Sequence, residues 1–249
     1  PDISMDWDAG FVGVPERDEI PALCGRCHSD ATFIRQYNPG LRIDQEALYA
    51  TSYHGQLLME GDDKVATCTD CHGDHGILPA IDPRSPVYPA NVPNTCGQCH
   101  SDADYMAEYG IPTNQLEEYR RSVHGKPLLE RHDMSAPACN DCHGNHGATP
   151  PGVSSLANVC GQCHPVNNDL VNQSSHRPAF EHLGIAACKT CHSHHDIRPP
   201  TDEMVGTSGA AVCVQCHSPE VRAVTLAAGT GAVTDAGLER GWQAAATMR

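Results

Sequence analysis

Large apolar side chains are scarce in this sequence. Aromatic residues make up 5% of the 249, with three Phe and two Trp, while Gly and Pro number 22 and 19. A chain that bends this often and has so few bulky side chains cannot build an ordinary hydrophobic core. Its own burial is too small to offset its conformational entropy. Basic residues are also short, with 16 Lys and Arg against 31 Asp and Glu and a formal charge of −15. That balance disfavours a nucleic-acid partner and docking on an anionic membrane surface. No apolar run approaches the roughly 20 residues of a membrane span. No stretch has the alternation of a strand, so the predicted fold class is mostly irregular with short α-helices and little or no β. The chain opens at Pro1 and carries no visible leader.

Cysteine and histidine are what the chain has in plenty. The pattern Cys24-Gly-Arg-Cys27-His28 returns at Cys68/Cys71/His72, Cys96/Cys99/His100 and Cys139/Cys142/His143. It returns again at Cys160/Cys163/His164, Cys188/Cys191/His192 and Cys213/Cys216/His217, and these seven motifs use all 14 cysteines. A lone C-x-x-C suits a zinc ribbon or a redox dithiol. Neither demands a histidine directly after every second cysteine, and a disulfide scaffold would not hold one uniform spacing. C-x-x-C-H is the attachment signature of c-type haem. Each thiol adds to one vinyl group of the porphyrin, and the adjacent histidine turns under the iron as proximal ligand. Seven covalent haems c then supply the missing apolar mass, with the polypeptide wrapped around their stack as a thin shell.

The motifs sit inside a longer repeat. Unit 1 (24–95) joins CGRCH, Ser52-Tyr53-His54-Gly55 and CTDCHGDHG. Unit 2 (96–159) joins CGQCH, Ser122-Val123-His124-Gly125 and CNDCHGNHG. Unit 3 (160–212) joins CGQCH, Ser174-Ser175-His176 and CKTCHSHHD. An extension (1–23) precedes them, and 213–249 holds the last motif and a tail, all in one continuous haem-cored domain of stacked repeats. Two segments, Asp44–Met59 and Asn114–Arg131, read as helices broken at Gly55 and Gly125, just after the extra histidine. Ile81–Pro93 reads as an extended, proline-marked linker. In the tail, 221–228 and 236–248 read as helices that cap the terminal haem or dock on another subunit.

Of 16 histidines, nine lie outside the motifs. Six recur at repeat positions and are the expected distal iron ligands: His54, His75, His124, His146, His176 and His195. His75, His146 and His195 follow a proximal histidine by three residues and cannot reach the far face of the same iron, so each must serve a neighbouring haem. The seventh distal ligand is left to His132 or His182, with His194, Met106, Met134, water or a histidine from another copy as alternatives. A methionine would raise the potential.

Over residues 24–217 these blocks resemble the multihaem c-type cytochromes of metal-reducing and sulfur-metabolising prokaryotes. The resemblance implies haems in parallel-stacked and T-shaped pairs, mostly bis-histidine and of low potential. It implies an electron carrier without substrate chemistry, exported to the periplasm or beyond the cell, whose partners are other redox proteins or extracellular acceptors. Some such cytochromes polymerise into filaments through their terminal haems; the alternatives are a monomeric periplasmic carrier and a multihaem oxidoreductase with one open haem.

Overall fold

The computed structural model describes residues 13–151, 153–202, 204, 209 and 211–217. The expected tail helices therefore lie outside the described residues. The chain divides into two compact units, Pro1–Arg198 and Pro199–Arg249. Among the described residues every regular element is a short helix and none is a strand, as the composition led us to expect.

In the larger unit the helices recur in the order of the sequence repeat. Ile20–His28 and Val92–His100 both start with a proline in the first turn and end on a motif histidine. Each is followed by a single-turn helix, Ala31–Ile34 or Ala103–Met106. The carboxylates of Asp30 and Asp102 cap these turns, each accepting from two backbone N–H groups. Next come Gln45–Thr51 with Tyr53–Met59, and Gln115–Arg121 with Gly125–Arg131. The five-residue helices Cys68–His72 and Cys139–His143 close the two repeats. The third repeat holds Val153–Cys163, Pro165–Gln173, His176–Leu183 and Ala187–His192.

The broken helices bend one turn earlier than expected. Ser52 and Ser122 take extended backbone, with ψ of 163° and 166°, and the helix stops there. Each serine hydroxyl accepts from the N–H three residues on, Gly55 or Gly125, at 2.9 Å. Gly55 and Gly125 lie beyond the bend rather than forming it. A Cβ there would meet the carbonyl oxygen of Tyr49 at 2.0 Å or of Tyr119 at 1.9 Å. Glycine is needed for this close approach of backbone to backbone, not for a left-handed turn.

The bend has a second effect. A residue that leaves the helix frees its backbone N–H for an outside partner. Tyr53 N–H donates to Ala148 O at 3.0 Å, and Val123 N–H donates to Ile197 O at 2.9 Å. Each acceptor lies two residues past a trailing histidine, His146 or His195. The bend of one repeat thus grips the loop that closes the next.

Ile81–Pro93 is also not extended. Asp82, Ser85, Tyr88 and Asn91 each donate a backbone N–H to the carbonyl three residues earlier, so this stretch is a series of turns. Apolar packing stays thin throughout. Among the described residues one cluster is buried, formed by Val92, Tyr119, Leu128 and Ala138, with Leu128 wholly enclosed. Tyr119 O–H donates to Pro137 O and Tyr49 O–H to Ala66 O, both at 2.8 Å, anchoring the chain just before each second motif.

In the smaller unit, Val214–His217 carries the last motif. Val212 N–H donates to Met204 O at 3.0 Å.

Candidate haem-binding site

Four short helices, Cys68–His72, Cys139–His143, Ala187–His192 and Val214–His217, end on the histidine of their own C-x-x-C-H. In Cys68–His72 the N-terminus is fixed by Asp70, whose carboxylate accepts from Thr67 N–H at 2.7 Å; Asp141 does the same for Ala138 N–H. The C-terminus turns sharply at Gly73 and Gly144, with φ of 76° and 80°, and Ser193 takes the same turn in the third repeat with φ of 67°. That turn frees the residues after it to project a second histidine away from the first.

Motif and spare histidines are brought together in pairs. The ring centres of His54 and His100 are 6.1 Å apart. Those of His72 and His146 are 6.1 Å apart, with the rings within 5° of parallel. His124 and His164 are separated by 6.2 Å, and His143 and His195 by 6.0 Å. Direct stacking would bring rings closer. Two imidazoles joined to one metal by bonds of about 2 Å each, with the depth of two half-rings added, give about 6 Å. The spacing therefore fits an iron held between each pair. Every pair couples one repeat to the next: His54 and His72 of the first to His100 and His146 of the second, His124 and His143 of the second to His164 and His195 of the third.

Burial favours the neutral form of seven of these rings. Burial holds His54, His72, His100, His124, His143 and His146 below the usual imidazole range. Burial, helped by His194 and His143, takes His195 down to about 4. A neutral ring keeps the nitrogen lone pair that a metal needs. His143 Nδ1 lies 3.3 Å from Thr149 O. A carbonyl only accepts, so Nδ1 carries the proton and Nε2 is left for a metal.

The thiols also pair by repeat. Cys24 and Cys68 touch as hydrogen-bonding partners, as do Cys96 and Cys139, and Cys160 and Cys188. Burial pushes the Cys68 thiol up to about 12 and the Cys160 thiol to about 11. Cys71 lies close enough to Cys96 and Cys99 to interact with them, and Cys142 to Cys163. The sulfurs therefore run as a continuous series along the larger unit. Among the described residues no three His, Cys, Asp or Glu side chains converge as one metal cluster.

The first cysteine of each motif is half-buried, Cys213 of the smaller unit included. The second is exposed in five motifs, at Cys27, Cys142, Cys163, Cys191 and Cys216, and half-buried only at Cys71 and Cys99.

The other expected ligands have different surroundings. The His75 side chain is 93% exposed, with Asp74 at 3.2 Å. Among the described residues no histidine ring pairs with His28 or His192. His176 stacks on Phe180 with centres 5.7 Å apart. His194 packs against His195 at 4.6 Å. His132 ends its helix in a left-handed conformation with φ of 52°, and both it and His182 are exposed. Met106 is buried. Glu118, whose Oε2 lies 4.0 Å from His195 Nδ1, and Thr149 were not anticipated.

Comparison with known proteins reaches part of this chain. Residues 131–218 match the family model of Cytochrome c3. That stretch, just over a third of the chain, contains four of the seven motifs. The match supports a multihaem c-type cytochrome, a class that holds haem c covalently and transfers electrons. No curated protein and no solved structure matches the chain.

Proposed function

We propose that this chain conducts electrons along seven haems, each tethered by the two cysteines of one motif and ligated by that motif's histidine. In this reading His54, His124, His146 and His195 would be the second ligands of the irons held by His100, His164, His72 and His143. The observation that carries this reading is the set of four histidine pairs at 6.0–6.2 Å, each from a motif and a non-motif residue. Each bound iron supplies one-electron chemistry, alternating between ferric and ferrous. The chain's own residues hold the ligand rings in place, keep the second motif of each repeat against the first, and lock one repeat onto the next through Tyr53–Ala148 and Val123–Ile197. Close packing of successive porphyrins follows, which electron tunnelling requires.

His176 occupies in the third repeat the place of His54 and His124, and on that ground serves as a further distal ligand. His132 and His182 are the candidates from within the chain for the last one. Covalent haem attachment of this kind takes place after export, which supports a periplasmic or extracellular protein. Among the described residues no helix is long and apolar enough to cross a membrane.

The step from one repeat to the next also supports self-association. Within the described residues it leaves His75 exposed at one end of the series and His192 without a ring at the other. A second copy that presents His75 to His192 would continue the same step, giving an open head-to-tail filament. Intact mass and absorbance of the purified protein test the haem reading: polypeptide plus seven haems, low-spin, is expected, and a colourless protein of bare mass overturns it. Electron microscopy tests the assembly. Filaments that are lost in His75→Ala are expected, whereas particles of single-chain size in the unaltered protein overturn the polymer and leave a monomeric carrier.

A further inference from the structure

Two of the histidine pairs occupy equivalent places in the repeat and differ in one neighbour. His146 sits in a loop beside the helix Gln45–Thr51, and His195 in a loop near Glu118 of the helix Gln115–Arg121. Tyr49 matches Tyr119 and Ser52 matches Ser122, so Leu48 stands where the second repeat has Glu118. Leu48 lines a hollow of about 250 Å³ together with His146 and Gln45. A Cβ added at Gly147 would lie 3.8 Å from Leu48 Cδ2, so the leucine packs on the histidine loop itself. In the second repeat a carboxylate takes this place. Glu118 Oε2 lies 4.0 Å from His195 Nδ1, and the two side chains are only 23% and 25% exposed. Asn114 Nδ2 donates to Glu118 Oε1 at 2.6 Å and holds the carboxylate in place.

The opposite ring of this pair is also backed, since His143 Nδ1 donates to Thr149 O. Among the described residues no other ring of the four pairs has a hydrogen-bond or ion-pair partner. Asp44 interacts with His146 only at longer range and is neutralised by its own ion pair with Arg42. Lys189 and His194 are the other charge-bearing groups around His195, and they oppose the carboxylate in part.

We propose that Glu118, acting through His195 with Thr149 behind His143, gives the haem between them the lowest potential of the four paired haems. Thr149 O accepts from His143 Nδ1, and an acceptor there makes a ligating imidazole a stronger donor. Glu118, at 4.0 Å from His195 Nδ1, lies beyond hydrogen-bond distance and acts through its charge. Ferric haem carries one more positive charge than ferrous haem, so both the stronger donor and the nearby carboxylate favour the oxidised form. Glu118 is a positioning residue: it faces the ligand ring and not the iron. This inference rests on the haem reading above. Its consequence is that one interior haem gives up its electron first during oxidation.

The experiment is a spectroelectrochemical titration of the holoprotein. In Glu118→Gln one midpoint is expected to move upward while the others stay in place. Glu118→Leu, which installs the residue of the first repeat, should do the same. The reverse change, Leu48→Glu, should move a different midpoint downward, and Leu48→Gln, which adds polarity without charge, should move it less. Curves for Glu118→Gln that superimpose on the unaltered protein overturn the proposal. So does an equal displacement of all midpoints, which is the sign of a general structural change. Absorbance and mass of each variant separate these results from a failure of the haem reading, since a variant with all its haems and an unmoved midpoint refutes only the role of Glu118.

Discussion

Residues 73–77 and 144–148 are nearly the same loop in sequence and end in opposite surroundings. Both follow a C-x-x-C-H helix, both turn on a glycine of positive φ, and both carry a histidine two residues later. His146 sits half-buried, 6.1 Å from His72, with its loop gripped through Ala148. His75 stands 93% exposed beside Asp74. The difference does not come from the loop's own residues. It comes from whether an earlier repeat, with its bend at Ser52 and its motif histidine, lies alongside. A repeat of this protein does not complete its own site; the neighbour does.

The sharpest way to break this contrast is to remove each histidine in turn. His146→Ala should convert one haem to high spin in the isolated chain, visible by electron paramagnetic resonance, and His195→Ala should convert another. His75→Ala should leave the isolated chain's spectrum unchanged. An equal high-spin signal from all three would mean that His75 already ligates within its own chain.

A smaller effect is expected at the bend that grips the neighbouring loop. Gly125→Ala forces a Cβ against the Tyr119 carbonyl, at a cost of roughly 3 kcal/mol through backbone displacement. Ser122→Ala loses only the cap to Gly125, worth about 1 kcal/mol. Denaturant midpoints should fall in that order. The same two changes at Gly55 and Ser52 should mirror them, and insensitivity of one repeat would show that the two are not gripped alike.

The smallest effect is on pH. His195 has its pKa lowered from 6.5 to about 4 in the folded chain, so the unfolded chain binds the proton first as the pH falls. Its contribution to stability is complete above pH 6.5 and is lost as the pH drops toward 4. His146 is shifted in the same direction, also by burial first. Unfolding midpoints that rise as the pH is lowered from 6.5 to 4 would contradict this sign.

The motifs can be read from the sequence because thioether attachment fixes cysteine and histidine within five residues. The trailing histidines are also readable, since three residues is too short to span a porphyrin. Their partners are not: the hydrogen bond from Tyr53 to Ala148 that helps bring the His146 loop beside the first repeat runs between backbones and leaves no side-chain signature. Gly55 reads as a helix breaker because its need for small size and its freedom of φ give the same letter. Ile81–Pro93 reads as extended because proline suits turns as well as extended chain. Glu118 was there to be found. Laying the repeats over one another, with Gln45, Tyr49 and Ser52 on Gln115, Tyr119 and Ser122, sets it against Leu48, a charge against an apolar residue.

The contact between Tyr53 and Ala148 also has a bearing on biogenesis. If the chain is threaded through a membrane from its N-terminus, the site built around His72 stays half-made while some seventy further residues emerge. Each porphyrin would be fastened by its thioethers well before its second axial ligand arrives, so maturation would trail translocation by one repeat all along the chain.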